Sequence, residues 1–166
     1  MRHLREMGVR FCELADQPLG QNVDEIVFQN VHWGLELVLK AYLHSRGWDD
    51  PRCAAEIRHD IALALSRCEQ EGLQGVDDHS RSLVKALSPF SQHHRVADFI
   101  EGGAGGFSGR DASRAARTIC TVVSEALGEP ERGTPSPAPK PHVLADPFCG
   151  AAPRNAPRVK GRRLSP

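Results

Sequence analysis

The chain has 166 residues, 40% of them hydrophobic, and no formal net charge; that suits one domain of ordinary size, and no bulk field draws it to nucleic acid or a membrane. The neutrality conceals an asymmetry: residues 1–127 carry 14 basic and 18 acidic side chains, about −4, and residues 128–166 carry 7 and 3, about +4. Five dispersed cysteines (Cys12, Cys53, Cys68, Cys120, Cys149) with no C-x-x-C pair exclude a zinc module and a disulfide framework. The charged start lacks the apolar segment of a signal peptide and no apolar run approaches a membrane span, so a reducing cytoplasm is the expected compartment.

Met1 to Ala15 reads as a short helix, with Leu4, Met7, Phe11 and Leu14 on its apolar side, broken by Gln17-Pro-Leu-Gly20. The segment from Asn22 to Arg46 is the expected centre of the fold. Val27, Val31, Leu35, Val38, Leu39 and Tyr42 recur at helical spacing, and Ile26, Trp33 and Leu37 make a second apolar face. Asn22 or Asp24 caps this helix and Gly47 stops it. Asp50-Pro51 starts a second helix reaching about Glu71, with Ala54, Ile57, Ile61, Leu65 and Cys68 as its stripe. The short loop between them predicts antiparallel packing. Asp77 or Asp78 caps a third helix, with Leu83, Leu87 and Phe90 inward and Pro89 near its end.

Residues 91–100 read as irregular or weakly helical, and 101–109 as a flexible glycine-rich linker. That linker has neither the Lys-Ser/Thr of a P-loop nor a preceding strand. Asp111 caps a further helix whose repeat runs through Ala112, Ala115, Ala116, Ile119, Val122, Val123 and Ala126 to a stop at Gly128. Cys68 and Cys120 lie on apolar stripes, as buried small hydrophobes do. From Glu129 the chain is rich in proline and short of apolar residues, so 129–166 is expected to be a disordered basic tail. With no strand pattern, the expected fold is an all-α, up-and-down bundle of four to five helices over 1–128.

Three clusters carry candidate chemistry. His32, Glu36 and Lys40 follow one another at four-residue intervals on the central helix. They suit an i,i+4 ion pair beside a satisfied histidine, or a pair that orients a phosphate or another histidine. Arg58-His59-Asp60 is a polar rim of the second helix, or supplies His59 as acid, base or phosphate donor facing Glu36 and Lys40. His93-His94-Arg95 is an exposed polar loop, with Arg95 the member suited to phosphate. Adjacent histidines diverge on a helix, which argues against a shared metal, and no cofactor is expected.

Val31-His-Trp-Gly-Leu-Glu-Leu-Val-Leu-Lys-Ala-Tyr-Leu43, then Arg46-Gly47, Arg58-His-Asp-Ile61 and Glu71-Gly-Leu73, resembles the HEPN superfamily (higher eukaryotes and prokaryotes nucleotide-binding). The likeness lies in an H-x-x-E-L-x-L-K-A-x-L helix followed by an H-D-L-like element, with Ile61 for Leu and Arg58 for the usual Gly. It covers about residues 22–75. The resemblance implies a helical bundle, often a homodimer, that binds a nucleotide or RNA, or partners an antitoxin or a nucleotidyltransferase in toxin–antitoxin or defence systems. On that basis the ligand-binding candidates are His32, Glu36, Lys40, His59 and Arg95. A ribonuclease branch uses R-x(4–6)-H; Arg52 and His59 fit that count and are the catalytic candidates of a metal-independent ribonuclease toxin, although they come earlier than that site usually does. The related subfamily carries an Arg-Tyr pair, of which Arg95 is present and Val96 replaces the Tyr. A third possibility is a purely structural dimerisation module.

Overall fold

The computed structural model describes residues 2–15, 24–91 and 95–128. Among them are seven α-helices and no strand: α1 (Arg2–Ala15), α2 (Asp24–Ser45), α3 (Asp50–Glu56), α4 (Ile61–Gln70), α5 (Asp78–Ser91), α6 (Val96–Glu101) and α7 (Gly109–Ala126), with a 3-10 turn at Ala104–Gly106. The all-helical bundle expected from the sequence is the fold that forms. The basic tail, Cys149, His93 and His94 lie outside the described residues.

The central position of α2 follows from its apolar repeat. Phe28, Val31, Leu35, Val38, Leu39, Tyr42 and Leu43 are fully buried, and α1, α4, α5, α6 and α7 all pack on this helix. Its second apolar face is covered only at the rim: Ile26 remains 52% and Trp33 41% exposed, with Phe11 set edge-on against Trp33 at 5.6 Å. Gly47 (φ 89°) ends the helix as its position predicts.

The inward side of α1 differs from the expected one. Gly8, Cys12 and Ala15, with Arg5, are buried, whereas Leu14 is exposed. The reason is a close backbone approach. A Cβ added at Gly8 would lie 2.7 Å from Val38 Cγ2 and 2.8 Å from the Gly34 carbonyl, and one at Gly34 would collide with Cys12 Sγ and lie 2.9 Å from the Gly8 carbonyl. Two helices that meet this closely need small residues at the crossing, so the large apolar side chains of α1 flank the seam rather than fill it.

The expected long second helix is two helices. Asp49 caps α3, one residue earlier than expected, by accepting from the Arg52 amide at 2.8 Å. The amides of Ile57 and Arg58 both reach the Cys53 carbonyl, and Arg58 takes a left-handed conformation (φ 47°). Asp60 then caps α4, accepting from the Leu63 amide at 2.9 Å. The break also reverses the expected packing. Contacts to α2 advance in the same sense along both chains: His59 meets Glu36, Cys68 Sγ donates to the Leu39 carbonyl, and Tyr42 Oη donates to the Glu71 carbonyl. Short α3 makes the return, and α4 therefore runs in the direction of α2 rather than antiparallel to it.

Helix α5 runs back along α4: Arg81 pairs with Glu69 at its start, and Ser88 with Asp60 near its end. Asp77 caps α5 through the Ser80 amide and hydroxyl. Within residues 91–100, expected to be irregular or weakly helical, the chain forms α6, which takes in Glu101 from the expected linker and whose Phe99 stacks edge-on against Phe28. The glycine-rich segment makes the 3-10 turn. Ser108, not Asp111, caps α7, and the Asp111 side chain accepts from the Ser108 amide, closing a reciprocal capping box. No described helix is long and apolar enough to cross a membrane.

Candidate functional site

Glu36 is the hub of a polar cluster on α2. Its carboxylate accepts from Lys40 Nζ at 2.6 Å and sits 3.0 and 3.2 Å from His59 Nδ1. His32 Nε2 lies 3.6 Å away on the other side. Glu36 is 13% exposed and His32 2%, while His59 is 57% exposed. The carboxylate can only accept, so His59 meets Glu36 with its proton on Nδ1. Three of the five predicted ligand-binding residues, Glu36, Lys40 and His59, are thus joined directly, and His32 flanks them from within the core.

What holds His59 there is the break between α3 and α4. In the left-handed region a side chain other than glycine costs about 1–2 kcal/mol. Arg58 occupies it because the two residues that follow are pinned, His59 by Glu36 and Asp60 by its cap. Asp60 has a structural role: besides capping α4, its Oδ1 accepts from Ser88 Oγ at 2.7 Å, and Ser88 Oγ in turn accepts from the Ala62 amide at 3.1 Å. Ser88 is a positioning residue for which the sequence offered no signal, because it reaches the site from α5, 28 residues away.

An open cleft of about 500 Å³ lies along this break, lined by Glu56, Arg58, His59, Asp60 and Leu63 among others. That volume falls within the range of small-molecule sites. Arg58 is exposed on the cleft and makes no ion pair or side-chain hydrogen bond with the described residues. Strained backbone, a histidine locked by a carboxylate and an available guanidinium thus meet at one place.

The other two candidates stand apart from the hub. The Arg52 guanidinium lies over the Trp48 ring, 3.7 Å from its centroid, and its Nε donates to Glu56 at 2.8 Å. No hydrogen bond or ion pair joins it to His59. Arg95 is 66% exposed and paired with Asp98. It follows α5, whose Ser88 grips Asp60, so it belongs to the same end of the bundle without contacting Glu36 or Lys40. Among the described residues no group of three or more side chains is arranged to hold a metal ion.

No protein-family model, curated protein or solved structure matches this chain.

Proposed function

We propose that this protein is an HEPN-like binding module that takes a phosphate-bearing ligand, a nucleotide or an RNA segment, at the cleft between α3 and α4. The observation that carries this reading is that Glu36 engages both Lys40 and His59, and that His59 lines the cleft next to Arg58, which pairs with none of the described residues. An ammonium has three donors, and Glu36 engages one of them. Lys40 and Arg58 supply charge to a phosphate, and His59 supplies a directional hydrogen bond. The left-handed Arg58 adds support, since the resemblance puts a Gly at that position and this is the conformation glycine adopts freely. Arg95 extends the basic rim toward the end of α5.

Calorimetric titration with mononucleotides and with a short oligoribonucleotide tests the proposal. Binding by the wild type, weakened about tenfold or more (about 1.4 kcal/mol) in Lys40→Ala and His59→Ala, supports it. Failure of every nucleotide and RNA to bind refutes it. Cleavage of the RNA during the titration, lost in His59→Ala, would move the assignment to the ribonuclease reading with its partner antitoxin.

A homodimer is the second element of the proposal. Leu14, Ile26 and Trp33 are large apolar residues of α1 and α2 that remain exposed, and exposed apolar surface favours a protein partner. Light scattering of the wild type and of Trp33→Glu tests it: a dimer that dissociates on substitution supports the reading, and a monomeric wild type removes it.

A further inference from the structure

Glu56 is a carboxylate on the cleft, and a chain of contacts from the core holds it there. Trp48 is buried, and its Nε1 donates to Glu71 Oε1 at 2.9 Å. The Arg52 guanidinium lies over that ring, and Arg52 Nε donates to Glu56 Oε1 at 2.8 Å. Glu56 Oε2 lies 3.7 Å from Arg67 Nη2, too far for a hydrogen bond. An exposed i,i+4 ion pair adds little stability, so stability is a weak reason for this arrangement. Each carboxylate oxygen offers about two acceptor sites. Arg52 uses one on Oε1, and no described residue donates a hydrogen bond to Oε2. The two arginines also offset the charge of Glu56, which lessens its repulsion of a phosphate nearby. Ile57 is buried between Glu56 and Arg58, and both flanking residues line the cleft. Two residues apart, their Cα atoms lie within about 7 Å of each other. A carboxylate and a guanidinium are thus set at the scale of one nucleotide, with Leu63 on the same cleft. Asp60, the other carboxylate there, is committed to the Leu63 amide and Ser88.

We propose that Glu56 reads the base of the ligand and selects guanine, with Arg52 as the residue that positions it; this rests on the phosphate site proposed above. A carboxylate weakens a site that binds phosphate alone, and reading a donor-bearing base gives it a use. Guanine alone among the RNA bases presents two neighbouring N–H donors on its pairing edge, from N1 and from the N2 amine, and one carboxylate accepts both. Adenine and cytosine set a single amino donor beside a ring-nitrogen acceptor. Uracil flanks its one N–H with carbonyls, which a carboxylate repels. Glu56 therefore takes the base end of the nucleotide, and Arg58, with Lys40 and His59, takes the phosphate end. This also gives Arg52 a role although it does not meet His59: it clamps the reading carboxylate.

The test is calorimetric titration of the full chain with GMP and IMP, which differ only by the N2 amine, and with UMP. GMP should bind at least about tenfold more tightly than IMP or UMP. In Glu56→Gln, which keeps the shape but puts a donor where guanine also donates, the GMP-to-IMP ratio should fall to near one. In Arg52→Met, which keeps the carboxylate but releases its clamp, the ratio should narrow as well. A wild type that binds the three nucleotides equally, or a ratio that survives Glu56→Gln, overturns the guanine proposal and leaves the phosphate site standing. Binding of no nucleotide refutes both. The wild-type ratio is decisive by itself, so the outcome does not depend on whether a variant folds.

Discussion

The seam between α1 and α2 and the break between α3 and α4 both lie against the same central helix, and they are held by opposite means. At the seam the backbones approach because side chains are missing, with Gly8 facing Gly34. At the break the chain bends because side chains are present: Glu36 holds His59 and Ser88 holds Asp60, the two residues that follow a strained Arg58. Steric exclusion tolerates no added atom. A polar network tolerates substitution in stability far better than in geometry. The seam should therefore govern whether the protein folds, and the break what it binds.

The largest expected effect is at the seam. Gly34→Val puts branched carbon atoms where Cys12 Sγ and the Gly8 carbonyl lie, and should cost about 3 kcal/mol in urea unfolding. A cost below about 1 kcal/mol would mean that α1 is not docked as described. Asp60→Ala comes next. It removes the α4 cap and the bond from Ser88, for a loss of about 1–2 kcal/mol. Glu36→Gln sharpens the contrast, with a stability change of only about 1 kcal/mol and a larger loss of ligand affinity, because Lys40 and His59 are released together. Equal losses in both would blur the distinction between the regions. Arg58→Gly should stabilise the fold by about 0.5–1 kcal/mol by relieving the left-handed strain, while weakening binding if the guanidinium meets phosphate.

The smallest effect concerns pH. The Ser80 hydroxyl, followed by its amide, holds the Asp77 carboxyl below its ordinary value of 3.8, and Ser108 does the same for Asp111. Both carboxylates titrate lower in the folded chain than in the unfolded one. Their contribution is complete above pH 3.8 and is lost as the pH falls through the depressed values. Urea midpoints measured from neutral pH downward should hold on this account until about pH 4 and then decline, and Asp77→Asn should flatten part of the decline.

Much of the site could be read before the structure. The four-residue spacing of His32, Glu36 and Lys40 put them on one side of α2, and the separated His59-Asp60 pair marked a second polar element. Their meeting is a contact across 23 residues, and it forms although the expected antiparallel pairing does not. The error lay at Arg58: an arginine carries no sequence sign of a left-handed turn, so Ala54 to Cys68 looked like one uninterrupted stripe. Ser88 was invisible for the same kind of reason, since a serine on a helix says nothing about which distant cap it will complete.

The sequence by itself determined that the chain is helical, where most helices stop, and that α2 lies at the centre. Those features depend on local sterics and on the 3.6-residue repeat of apolar side chains, which neighbouring residues encode. Only the tertiary structure decided which side of α1 turns inward, which way α4 runs, and that Glu36 holds Lys40 and His59 at once. Each of these depends on what a distant segment brings, or on atoms that glycine leaves out, and no local pattern records either.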